Sequence, residues 1–160
     1  MGLDMYLNAN KFVSSYGGNK PEENESYDKI INAVGADEIV SPDTKHASVS
    51  VTVAYWRKAN AIHGWFVKNV QDNNDDCDEY YVSREQLEEL RALCKEVMDN
   101  PNKANELLPP QAGFFFGNDE VDEWYLEQNK YTYEQLTALL EKTNEEQGYS
   151  GWTFEYHSSW

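Results

Sequence analysis

The chain has 160 residues, with 13 Lys and Arg against 29 Asp and Glu, a formal net charge of -16, 14% aromatic and 40% hydrophobic content. Such a field repels nucleic acid, anionic lipid and free phosphate and attracts basic protein surfaces. The apolar and aromatic content excludes a solvated acidic tail, so one folded domain over residues 1–160 is expected.

Leu3, Met5 and Leu7 alternate with Asp4, Tyr6 and Asn8, the period of a half-buried strand. A loop rich in Gly, Ser and Asn follows over 14–24, then a helix from Glu23 to Val34 closed by Gly35. Val49, Val51, Val53 and Tyr55 alternate with Ser50, Thr52 and Ala54 in the clearest strand, which feeds a helix over 57–70 striped by Ala59, Ile62, Phe66 and Val70. Residues 71–78 read as an acidic loop and 80–82 as a short extended piece. Ser83 with Gln86 forms a capping box for a helix carrying Leu87, Leu90, Cys94 and Val97. Residues 113–117, with three consecutive phenylalanines, read as a buried strand, which periodicity alone does not separate from a buried turn of helix. Thr132 with Gln135 forms a second box, for a helix through Leu136, Leu139 and Leu140 to about Glu146. Trp152, Phe154 and Tyr156 alternate in a final strand. The order predicts an α+β fold, a mixed or antiparallel sheet with about four helices packed on it.

No segment approaches the roughly 18 apolar residues of a membrane span. The first residues lack a secretory pattern, and the two cysteines, Cys77 and Cys94, are expected to be reduced thiols in a cytoplasm.

Met1-Gly2-Leu3-Asp4-Met5-Tyr6-Leu7, the stretch Ala54-Tyr55-Trp56-Arg57-Lys58-Ala59-Asn60-Ala61-Ile62-His63-Gly64-Trp65-Phe66-Val67, Leu107-Leu108-Pro109, Gly113-Phe114-Phe115-Phe116-Gly117 and Asp122-Glu123-Trp124-Tyr125 together resemble a family of small phage and prophage proteins. The resemblance covers most of the chain. It implies a phage product acting in the cytoplasm of a bacterial host. Small acidic phage proteins of that kind often inhibit host enzymes that target nucleic acid, as anti-CRISPR and anti-restriction proteins do, an analogy of class.

The acids gather at Glu22, Glu23 and Glu25; at Asp72, Asp75, Asp76, Asp78 and Glu79; and at Asp119, Glu120, Asp122 and Glu123. A duplex carries one negative charge per roughly 1.7 Å of axis, and its binders hold rows of Lys and Arg to match. Fixed carboxylates can occupy those rows, so the expected partner is a host protein with a basic nucleic-acid-binding surface, such as a CRISPR effector nuclease. Trp124 and Tyr125 are candidate aromatic anchors. Neither nucleic acid nor membrane is an expected direct partner.

The alternative is a site for a small phosphorylated ligand or nucleotide. Trp56, Arg57, Lys58 and His63 place two cations and an aromatic ring where a helix starts. No cofactor is expected. Zinc would have to be assembled from Cys77, Cys94, His46, His63, His157 and an acid such as Asp4, because no local pair of ligands has the spacing of a zinc motif. Asp72, Asn74 and Asp76 match the start of a calcium loop, but Cys77 and Ser83 stand where Gly and the bidentate Glu are needed. His63 could meet Asp4 or Cys94 as a catalytic pair. No complete catalytic signature is present, and the reading is of a binder rather than an enzyme.

Overall fold

The computed structural model describes residues 2–43, 45–113, 119–144 and 151–160. Among these, an antiparallel sheet of four strands in the order β2-β1-β4-β3 combines with five α-helices, the α+β class that the sequence pattern predicts. β1 (Asp4–Ser14) buries Met5, Leu7 and Ala9 and leaves Asp4, Tyr6 and Asn8 on its other face, as period-two alternation requires. α1 (Pro21–Ala33) starts before Glu23 because Pro21 takes the first helical position, where its missing N–H has no partner to lose. Gly35, at φ 66°, supplies the expected left-handed cap.

β2 (His46–Arg57) runs through Trp56 and Arg57, so α2 (Asn60–Asn69) begins later than the sequence stripe suggests. Lys58 turns the corner at φ 57°, and its N–H donates to the Leu3 carbonyl at 2.8 Å. β3 (Tyr80–Val82) pairs antiparallel with β4 (Trp152–Ser159), Tyr80 opposite Tyr156 and Val82 opposite Phe154. α3 (Arg84–Asp99) opens on the expected box: the Gln86 N–H donates to Ser83 Oγ at 3.2 Å and the Ser83 N–H to Gln86 Oε1 at 2.9 Å. A single 3₁₀ turn over Pro101–Lys103 leads into α4 (Ala104–Leu107).

The last helix departs from the sequence reading. α5 (Glu123–Lys142) opens where Asp122 accepts from the Tyr125 N–H at 2.8 Å, and Thr132 lies buried in mid-helix. The Thr132 hydroxyl donates to the Gln128 carbonyl at 2.7 Å and accepts from the Trp56 indole at 2.8 Å. A buried indole N–H needs an acceptor, and that tertiary demand, not a cap, is what Thr132 serves. Arg84 on α3 donates to the Leu140 carbonyl at 2.6 Å and the Thr143 carbonyl at 3.0 Å, satisfying acceptors that the end of α5 leaves open. Of the expected strand at 113–117, residues 114–117 lie outside the described residues.

Two compact units result, Met1–Ala9 with Thr52–Trp160 and Asn10–Val51. The first is built around Leu3, Met5, Trp56, Ile62, Phe66, Leu87, Leu136 and Tyr156. The second has a small core of Val13, Tyr27 and Ile31, with Ile30, Val40 and Ala47 packed on it. Among the described residues, no helix is long and apolar enough to cross a membrane.

Candidate functional site: two acidic segments and a cleft

The loop after α2 owes its shape to residues on both sides of it. Gln71 is buried, its N–H reaching back to the Phe66 carbonyl at 3.1 Å and its side-chain amide donating to the Asn74 carbonyl at 3.0 Å. Asp72 and Asn73 then take φ of 51° and 63°, a region that Asp and Asn tolerate better than bulkier residues. Beyond the turn, Asp76 accepts from the Asp78 N–H at 3.0 Å and from the Tyr80 hydroxyl at 2.9 Å, and Asn74 also donates to Asp76. Ser158 on β4 donates to the Asp76 carbonyl at 3.3 Å. Asp72, Asp78 and Glu79 are exposed on this scaffold.

One further anchor of the loop comes from His63, which is 1% exposed on α2. Its Nε2 lies 3.1 Å from Asp75 Oδ1 and its Nδ1 2.7 Å from the Tyr156 hydroxyl. A carboxylate only accepts, so Nε2 carries the proton and Nδ1 accepts from Tyr156. Burial holds the His63 pKa below its ordinary value, with the Asp75 carboxylate pulling the other way. Tyr156 stacks face to face on Phe66 at 3.8 Å and is pushed well above the usual phenol range by its own burial. The expected pairing of His63 with Asp4 or Cys94 is therefore corrected. Asp4 instead accepts from the Tyr55 hydroxyl, and Cys94 is a buried thiol pushed upward by desolvation.

The second acidic segment surrounds the start of α5. Asp119, Glu120 and Glu123 are exposed, and Asp122 caps the helix, a placement that suits carboxylates near its positive end. Trp124 is 50% exposed and available to a partner. Tyr125 is not: it is 6% exposed, its hydroxyl donates to the Leu108 carbonyl at 2.7 Å, and burial pushes its pKa up to about 12. Adjacent helical residues point about 100° apart, so one of the pair must turn inward.

The junction between β2 and α2 opens on a cleft of about 220 Å³ lined by Lys58, Ala59, Ile62, Glu120, Asp122 and Trp124, among others. Of the residues expected to hold a phosphorylated ligand, only Lys58 borders this space. Trp56 is 1% exposed with its indole N–H given to Thr132, and His63 is committed to Asp75 and Tyr156. Two carboxylates share the wall with the one lysine, which disfavours an anionic guest.

The remaining zinc candidates sit apart from one another in character. Cys77 is exposed, His157 stacks on Tyr6 at 4.8 Å, and in the smaller unit His46 lies 3.4 Å from the Tyr16 hydroxyl. Among the described residues, no group of three or more His, Cys, Asp or Glu side chains could hold a metal.

Several of the cations pair with nearby acids. Lys29 pairs with Glu25 at 2.6 Å, Arg84 with Glu88 at 3.2 Å, Lys103 with Glu96 at 2.7 Å and Lys130 with Glu134 at 3.9 Å. Asp72, Asp78, Glu79, Asp119 and Glu123 have no Lys, Arg or His within 4.0 Å among the described residues. What the fold and these segments define is a small α+β protein with two ordered acidic segments. No protein-family model, no curated protein and no solved structure matches the chain.

Proposed function

We propose that this chain is a phage-encoded inhibitor that binds a host defence protein acting on nucleic acid, of the anti-CRISPR or anti-restriction type, in the bacterial cytoplasm. Its carboxylates at 72–79 and 119–123 take the place of phosphates in the target's basic groove, with Trp124 as an aromatic contact at the second segment. The observation that carries the reading is that Asp72, Asp78, Glu79, Asp119 and Glu123 are exposed with no cation within 4.0 Å among the described residues, while Lys29, Arg84, Lys95 and Lys130 pair with acids one turn along their own helices. Those five carboxylates have no cation to give up on docking, whereas Asp75 is held by His63 and Asp122 caps α5. The hydrogen bonds that hold the Asp75–Asp78 turn keep its charges in place before contact, which spares part of the ordering cost of binding. Competition tests this. Cleavage of DNA by a guide-loaded CRISPR effector nuclease or a restriction endonuclease is inhibited by the protein, and adding uncleavable DNA in excess displaces it from the enzyme. Co-binding of DNA and protein to the same nuclease contradicts the reading.

A second reading, a binder of a small phosphorylated ligand or nucleotide, draws on the cleft at Lys58. Glu120 and Asp122 on its wall oppose it, and Arg57, Trp56 and His63 do not line it. Titration calorimetry with a panel of nucleotides is expected to give no heat of binding. Saturable heat that Lys58→Gln abolishes would favour this second reading over the first.

A further inference from the structure

The two edges of the sheet are unlike. β3 is three residues long with Glu79 immediately before it, and a short strand beside a charge is a poor template for another chain. β2 is twelve residues long, and from Ala47 to Trp56 it has no charged residue and no proline, in a chain where 26% of residues are charged. Edge strands of this length are normally guarded by lysine, proline, a bulge or a covering element. Here the cover reaches only the end of the strand, where the Tyr55 N–H donates to the Tyr131 hydroxyl at 3.3 Å. Among the described residues, nothing outside the sheet hydrogen-bonds the backbone of 48–53. Ser50, Val51 and Thr52 are exposed in succession, Val51 at 46%.

We infer that two copies of the chain pair through this edge, β2 against β2 in antiparallel register about a two-fold axis at Ser50. That register sets Val49 opposite Val51, Ser48 opposite Thr52 and Ser50 opposite itself, so β-branched apolar side chains meet on one face and hydroxyls on the other. The alternation of Ser or Thr with Val over 48–53 makes the strand its own complement. Charge selects the same occupant. Two chains of net charge -16 repel, which disfavours contact through carboxylate-bearing surfaces, and residues 45–58 hold Lys45, Arg57 and Lys58 but no acid. This contact is separate from the acidic segments.

Sedimentation velocity from micromolar to sub-millimolar protein tests the pairing. The expected result is a concentration-dependent mass of two chains that strengthens as salt rises, because screening removes the repulsion. Val51→Lys sets an ammonium against Val49 of the other copy and returns the mass of one chain, while Val51→Thr remains paired. Ser50→Lys, projecting from the opposite face, also gives single chains. Far-UV circular dichroism is expected to be unchanged in all three, since both positions are exposed. A single-chain mass at every concentration, or pairing that survives both lysine substitutions, overturns the proposal.

Discussion

Trp56→Ala lowers the unfolding free energy by about 3–5 kcal/mol, the range for deleting a buried aromatic. Trp56 stands edge-on to Tyr131 at 6.3 Å, leans on Phe66 at 6.0 Å, and holds Thr132 of α5 from the end of β2. Losing it empties the space between the sheet and α5 and removes the hydrogen bond that joins them. A loss of that size is a large part of the total stability of a domain. Trp56→Phe keeps most of the packing and costs about 1–2 kcal/mol, because the Thr132 hydroxyl still donates to Gln128 and no buried donor is stranded. Urea unfolding measures both. A shift of less than about 0.5 kcal/mol for Trp56→Ala contradicts this packing.

Stability falls as pH drops below the ordinary histidine range, and His63 is the cause. Its folded pKa is lowered, so the unfolded chain takes up a proton before the native one does. The contribution of His63 is therefore complete above a pH of about 6.5 and is lost as pH falls through and below that value. His63→Gln has no proton to gain and removes this step. The exposed carboxylates Glu25 and Glu85, whose pKa values are lowered by Lys29 and by hydrogen bonds at the start of α3, act only at lower pH. Asp75→Asn deepens the step, since it removes the charge that favours the imidazolium. Thermal melts across this range decide the matter: equal pH slopes for the parent and His63→Gln contradict the role given to His63.

Much of the fold is legible because it depends on local periodicity. The alternations at Leu3–Leu7, Val49–Val53 and Trp152–Tyr156 survive as β1, β2 and β4; β1 and β4 bury one face, whereas β2 buries only Ala54 and Trp56 and leaves Val51 and Tyr55 exposed. Ser83 and Gln86 form their cap because both lie at a helix start and the Gln86 Oε1 is left for the Ser83 N–H while its amide nitrogen donates to the Asn69 carbonyl at 2.6 Å. Thr132 and Gln135 have the same spacing and do not, because a tryptophan far away in the chain claims the threonine. The boundary at Asp122 was hidden in a run of acids whose capping member no local pattern distinguishes. His63, Asp75 and Tyr156 meet through tertiary folding alone, so pairing His63 with Asp4 or Cys94 had no physical signal behind it. The positions of the acids were plain in the sequence. Which of them lack a cation was not, since that depends on helix faces and on where each lysine reaches.

The binding role rests on charge, and salt dependence reads charge most directly. Inhibition of a guide-loaded CRISPR effector nuclease, measured between about 50 and 200 mM salt, is expected to weaken by roughly a hundredfold or more along a straight log–log line, as phosphate binding does. Replacing Asp72, Asp78 and Asp119 by Asn and Glu79 and Glu123 by Gln flattens that line and weakens inhibition at low salt. Inhibition that is independent of salt, or equally strong in the neutralised variant, contradicts the account.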